Sequence, residues 1–340
     1  MKNPNYKITT TKDELKGGLF GEIVLCVFEI LPYLFSRSIF PEWDVKSELY
    51  GIEPNYTVIP GVFDIAYNPK ITSKREIRLS KLRRLRRKHI SVLGGGDWEY
   101  MNKLWYAYFQ IPDRIVLSAD EIGDLSNTIG VHFRGTDKKF WDTNPISHEE
   151  FILLVEDFIK RQNGIESILV ATDEYEFVGK MEKKFTQCRI INLGAVVQHL
   201  DKNNVQNKGD HAVLDCLLLS RCKYLILTSS ALSGFAKVLN PGLECYRVCA
   251  SKLFADIPYF PVAYIPKLTS DDVNCNRILG KTLNDDWLQN RKANKKFNNS
   301  FCTKKRDIWP FIIRKLLNLW IRLRKIALNK VWPLMSFKGR

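Results

Sequence analysis

An α/β fold with two domains is predicted for this chain, on three observations. Between residues 129 and 240 the apolar runs "IGVHF", "SILVATD", "RIINL" and "YLILTS" alternate with helical segments, the pattern of a parallel sheet with crossover helices. The length of 340 residues exceeds what one hydrophobic core usually supports, which makes two domains the expectation. A composition of 45% apolar, 12% aromatic and 26% charged residues is that of a folded globular protein and excludes general disorder.

Taken in order, "YKITT" reads as a first short strand, the Gly17-Gly18 pair as a loop, and the segment from about Gly21 to Phe35 as one buried helix. "IFPEW", "TVIPGVFD" and "ISVL" read as further short strands or buried connections. The basic run "SKREIRLSKLRRLRRKH" carries Leu79, Leu82 and Leu85 three apart, which predicts a helix with one apolar stripe. Further on, "SHEE" sets Ser147 and Glu150 in capping-box spacing ahead of "FILLVEDFIK", whose apolar residues 151, 152, 155, 158 and 159 share a face. "HAVLDCLLLSRC" is apolar almost all round except for Asp215, so a buried helix is expected there. Another helix starts near Ser230 and stops at Pro241-Gly242.

Residues 291–306 read as a polar linker. The segment that follows, "WPFIIRKLLNLWIRLRKIALNKVWPLMSF", has no acidic residue; Arg314, Lys315, Arg322 and Lys325 share one face and Leu316, Leu319, Trp320 and Leu323 the opposite one. Such a helix suits an anionic membrane surface, or docks on the protein's own core. The early apolar stretch "GLFGEIVLCVFEILPYLF" is interrupted by Glu22, Glu29 and Pro32 and is neither a good membrane span nor a good signal peptide.

Fifty-two Lys and Arg against 37 Asp and Glu give a net charge of +15, which favours polyanions: nucleic acid, anionic lipid or a phosphorylated substrate. The eight cysteines form no CxxC pair or Cys/His cluster with zinc-ligand spacing, and a reducing cytosol is the simpler compartment. No metal is expected. "GGGDW" lacks the Lys and hydroxyl residue of a phosphate loop, and His89, His148 and His199 have no partner spacing that suggests a metal.

In an open parallel sheet, ligands bind beyond the carboxyl ends of the strands. Three polar groups stand at such ends: "HFRGTDK", "ATDE" and "TSSALS". Arg134 offers a planar fork for phosphate oxygens, and Ser229 and Ser230 at a helix start add hydroxyls and free N–H groups to the same anion. Asp215, one turn into an apolar helix, needs a hydrogen-bonding ligand or a buried partner, and a purine with amide-type donors is a good candidate.

These segments together, "HFRGTDK", "ATDE" and "GDHAVLDCLLLSRCKYLILTSSALS", resemble the blocks of the GDP-fucose-dependent fucosyltransferases of the α-1,6 and nodulation type and their protein O-fucosyltransferase relatives. The likeness covers residues 129–240. It implies a GT-B fold of two Rossmann-like domains, with inverting, metal-independent transfer and no cofactor beyond the nucleotide-sugar substrate. By motif position it implies that His132 and Asp215 recognise guanine, that Arg134 and Ser230 hold the β-phosphate, and that Asp173 lines the sugar site. Asp142 would be the general base, and Lys138 would assist the leaving group or pair with a neighbouring carboxylate. Two departures stand out: the tandem Arg-Arg of the α-1,6 enzymes is Arg134-Gly135 here, and the base is Asp where they have Glu.

The expected organisation is an acceptor-side domain over 1–118, a donor domain over 119–268, a returning segment and linker over 269–306 and the basic helix over 307–340. The expected activity is transfer of fucose to a glycan or lipid-linked oligosaccharide, by a cytoplasmic protein held at the inner face of the membrane through residues 308–337, without nucleic acid as partner. Its rivals are a transferase of the same fold using another nucleotide sugar, and a noncatalytic nucleic-acid or anionic-surface binding protein suggested by the charge and by "KLRRLRRKH".

Overall fold

A computed structural model of the chain describes residues 6–15, 17–68, 75–82, 97–135, 146–194, 208–249 and 265–269, all within one compact unit, Met1–Lys292. The expected basic helix at 307–340, and Lys138 and Asp142 among the site residues, lie outside the described residues.

The amino-terminal part is built on a four-stranded sheet in the order β3-β2-β1-β5. Its strands are β1 (Tyr6–Thr9), β2 (Glu42–Lys46), β3 (Thr57–Ile59) and β5 (Arg75–Arg78). β1 runs parallel to both β2 and β5, and β3 is antiparallel to β2. A small pair, β4 (Asp64–Ile65) and β6 (Phe109–Gln110), lies beside it. Two expectations are corrected here. The single helix expected over 21–35 is a π-helical turn (Leu19–Val24) followed by α1 (Leu25–Phe28) and α2 (Leu31–Phe35). Pro32 stands in the first turn of α2, where its missing N–H costs nothing; continued through it, the helix would set the proline ring against the carbonyl four residues earlier. The basic run expected as a helix instead opens as strand β5, and only residues 79–82 of its described part are helical. Pairing of Ile77 with the buried Ile8 of β1 sets the strand at the start of the run, and Leu79 and Leu82 beyond it are helical as expected.

The second sheet is parallel and six-stranded, in the order β12-β11-β10-β7-β8-β9. β7 (Thr128–Phe133), β8 (Ser167–Thr172), β9 (Arg189–Ile191) and β10 (Tyr224–Leu227) occupy the four expected runs. β11 (Glu244–Cys249) and β12 (Lys267–Thr269) extend the sheet beyond β10. The connecting helices are α5 (His148–Arg161), α6 (Tyr175–Lys184), α7 (Lys208–Arg221) and α8 (Ala231–Leu239). Ser147 caps α5 as the sequence predicts, its Oγ accepting from the Glu150 N–H at 3.1 Å.

Phe151, Val155 and Phe158 of α5 pack with Phe177 and Met181 of α6 over one face of this sheet. The other face belongs to a larger core that also takes in Ile8 and Trp43 of the first sheet, α3 (Trp98–Tyr106) and α4 (Asp113–Glu121). Position 118/119, the domain boundary expected from the sequence, falls inside α4. Helix α7 lies close on β7: a Cβ on Gly130 would stand 3.0 Å from Leu219 and 3.3 Å from Cys222, so the glycine sets how near the helix approaches.

Candidate active site

Strands β7, β8 and β10 are neighbours, and their carboxyl ends bring together residues far apart in sequence. His132 pairs in register with Ala171 on one side and Leu227 on the other. It is buried, at 6% exposure, and its Nδ1 is 2.9 Å from Ser233 Oγ in the first turn of α8. Ser233 also reaches the Ser230 carbonyl at 3.4 Å. With its hydroxyl proton on that carbonyl, Ser233 accepts from His132 Nδ1–H, which leaves Nε2 as the ring's acceptor.

The chain leaving β7 is fixed through its backbone. Arg134 N–H donates to Thr228 Oγ1 at 3.0 Å, just past β10, and Gly135 N–H donates to Asp173 Oδ1 at 3.0 Å, just past β8. Arg134 and Asp173 are half-buried, and Gly135 is buried. Three of the polar loops singled out in the sequence therefore meet through direct hydrogen bonds.

Ser230 is the N-cap residue of α8, yet its side chain makes no capping bond. Its Oγ is buried and has no hydrogen-bond partner among the described residues. A hydroxyl withheld from its own helix, beside the free N–H groups of that helix's first turn, is suited to an anion. Ser229 precedes it and is half-buried. Asp215 lies on α7, which packs against β7, β8 and α8. Among the described residues its side chain has neither a hydrogen bond nor an ion pair, and desolvation pushes its carboxyl up to about 7.

Sequence reasoning missed the group that surrounds Gly135. A Cβ there would lie 2.5 Å from Glu174 Oε1 and 2.6 Å from its Cδ, so the Glu174 carboxylate fills the space. Glu174 is itself held by a short, buried contact with His148 Nε2 at the start of α5. Lys180 of α6 approaches His148 Nδ1 at 3.2 Å and Glu149 at 2.8 Å. The His148 set aside as a metal ligand is thus a structural partner of a loop carboxylate. Among the described residues no group of three or more His, Cys, Asp or Glu is placed to hold a metal ion, and no helix is long and apolar enough to cross a membrane.

No family model matches the chain, and neither does any curated protein. Solved structures do resemble it. The α-1,6-fucosyltransferase NodZ soaked with GDP-fucose superposes with a TM-score of 0.47 at 14% identity, over 70% of this chain and 93% of its own. An Arabidopsis thaliana FUT1 mutant with GDP gives 0.41 at 11% identity, over 75% of this chain and 72% of its own. POFUT1 with GDP-fucose gives 0.40 at 10% identity, over 70% and 94%. At these identities the residue assignments rest on the site's own geometry.

Proposed function

We propose that the chain is a GT-B-type glycosyltransferase that moves fucose from GDP-fucose to a glycan or lipid-linked oligosaccharide. The observation that carries this reading is the unpartnered Ser230 hydroxyl at the start of α8, set among His132, Arg134 and Asp173 at the carboxyl end of a parallel sheet. Arg134 and the α8 amino terminus hold the diphosphate. Asp215 supplies the carboxylate acceptor that the amide-type N–H groups of guanine require, with His132 as its companion in reading the base. Asp173 faces the sugar.

The chemistry is one displacement. The acceptor oxygen forms its bond to the anomeric carbon as the bond from that carbon to the β-phosphate oxygen breaks. The acceptor proton passes to Asp142, and GDP departs with its new charge stabilised by Arg134, Lys138 and the helix terminus. No metal enters the scheme. Residues 308–337 bring the protein to an anionic membrane surface where such an acceptor is displayed, a part tested by whether liposomes still sediment the chain cut after Asp307.

Calorimetry tests the donor assignment. GDP should bind, UDP and CDP should not, and Arg134→Ala should weaken GDP by roughly 2–3 kcal/mol, the worth of a charge-assisted phosphate contact. Equal binding of the three nucleotides would remove the guanine assignment. Steeply salt-dependent RNA binding with no nucleotide response would instead favour the noncatalytic rival.

A further inference from the structure

A parallel sheet ordinarily has apolar side chains on both faces because helices cover both. The amino-terminal sheet does not. Register sets Ile8 beside Trp43 and Ile77 on the face turned to the core, and Lys7 and Thr9 beside Glu42, Asp44, Glu76 and Arg78 on the other. That second face is wholly polar through β1, β2 and β5. It forms the floor of a concavity of about 520 Å³, walled by Thr10 to Lys12 and by Pro54 to Tyr56. The volume falls in the range of small-molecule sites, roughly 300–1,000 Å³. It also lies toward the carboxyl ends of the parallel strands, where open α/β sheets bind their ligands.

The charges lining it are four cations against two carboxylates. Lys7 and Lys46 are neutralised in place, at 3.4 and 3.5 Å from Asp44, and Lys7 also meets Glu42 at 3.3 Å. Lys12 lies 5.1 Å from the centre of the Tyr56 ring, on a residue whose φ of 56° is unusual for one with a side chain. The Arg78 side chain has no hydrogen bond or ion pair among the described residues. A guanidinium fork and an ammonium thus stand over a floor in which Thr9 Oγ1 donates to Glu76 at 2.8 Å and Thr10 Oγ1 bonds the Lys46 backbone, which leaves the remaining lone pairs of Glu76 and Asp44 to face the concavity. The fork matches phosphate oxygens, and the floor offers acceptors to sugar hydroxyls. A neutral glycan would leave the cations unused, and a bare polyanion would meet Asp44 and Glu76.

We propose that this concavity binds a saccharide bearing a phosphate. Only in naming that ligand the acceptor does the inference rest on the transferase reading; binding itself does not need it.

The test titrates the full chain with glucose 1-phosphate and with glucose, each with and without saturating GDP. Glucose 1-phosphate should bind at least about tenfold more tightly than glucose, and Arg78→Ala should remove at least about tenfold of that affinity. Arg78→Lys should restore part of it, and GDP affinity should stay unchanged in both variants. Glucose binding as well as its phosphate overturns the proposal, as does loss of the phosphosugar on adding GDP, which would place it among the donor residues. So does an Arg78→Ala protein with an unchanged circular dichroism spectrum and full affinity. Failure of GDP to bind at all would sink the transferase reading and leave this site standing. A polyprenyl ester of the sugar phosphate in vesicles, compared with the free phosphosugar, tells whether the phosphate comes from a lipid-linked or a soluble saccharide.

Discussion

At Gly135 a methyl group would lie 2.5 Å from Glu174 Oε1, and Glu174 is not a loose end that can swing aside, because His148 grips its other oxygen. An arginine stem at this position would need the room that the carboxylate occupies. Gly135→Ala should destabilise the chain by about 1–3 kcal/mol, as overpacking does. Glu174→Ala should make the same substitution nearly neutral, so a double-mutant cycle read by urea unfolding should show positive coupling. Additive effects would mean that the two residues do not compete for space. The departure at 135 is legible in the sequence, but its cause is not. Glu174 and His148 are separated by 26 residues and meet only because β7, β8 and α5 converge, a tertiary contact that local spacing does not encode.

Helix α7 shows how an element imposes chemistry on one of its residues. Gly130 lets it approach β7, and its apolar surround leaves the Asp215 carboxyl desolvated and, among the described residues, unpaired, so that it is raised to about 7 from an ordinary 3.8. Between those values the folded chain holds a proton that the unfolded chain has released. Stability therefore falls as pH rises through that window and levels off above it. Asp215→Asn should gain on the native protein as pH is raised from about 4 to about 8, by up to roughly 4 kcal/mol, while weakening GDP binding. A stability difference that stays flat with pH would show that Asp215 has found a partner. Local signals were enough for α5, α7, α8 and four strands of the large sheet, since capping and apolar runs are written in adjacent residues. They were not enough for β5, a four-residue strand just ahead of those leucines whose support is its pairing with β1.

Across the molecule, helix α8, which Ser230 precedes, depends on residues from the amino-terminal part. Phe235 of α8 packs on Trp105 of α3 with ring centres 4.7 Å apart, on Phe20 at 5.3 Å and on Phe63 at 6.4 Å. Asn102 of α3 donates to the carbonyls of Val238 and Leu239, satisfying the last turn of the same helix. Arg114 of α4 forks onto Asp210 of α7 at 2.7 and 2.8 Å and donates to the Gly61 carbonyl at 2.7 Å. The larger of the two cores thus takes buried side chains from both sheets, and the two sheets should lose protection as a unit. Phe235→Ala removes a fully buried ring from the middle of that core and should cost roughly 3–5 kcal/mol. Hydrogen exchange is the measurement that separates a shared core from a divided one. The slowest amides of β1 and β2 should lose the same protection as those of β7 and β10, and GDP affinity should fall because α8 is no longer held. Loss confined to α8 and β10, with β1 and β2 exchanging as before, would show that the amino-terminal sheet stands without the ring and that the six-stranded sheet is stabilised on its own.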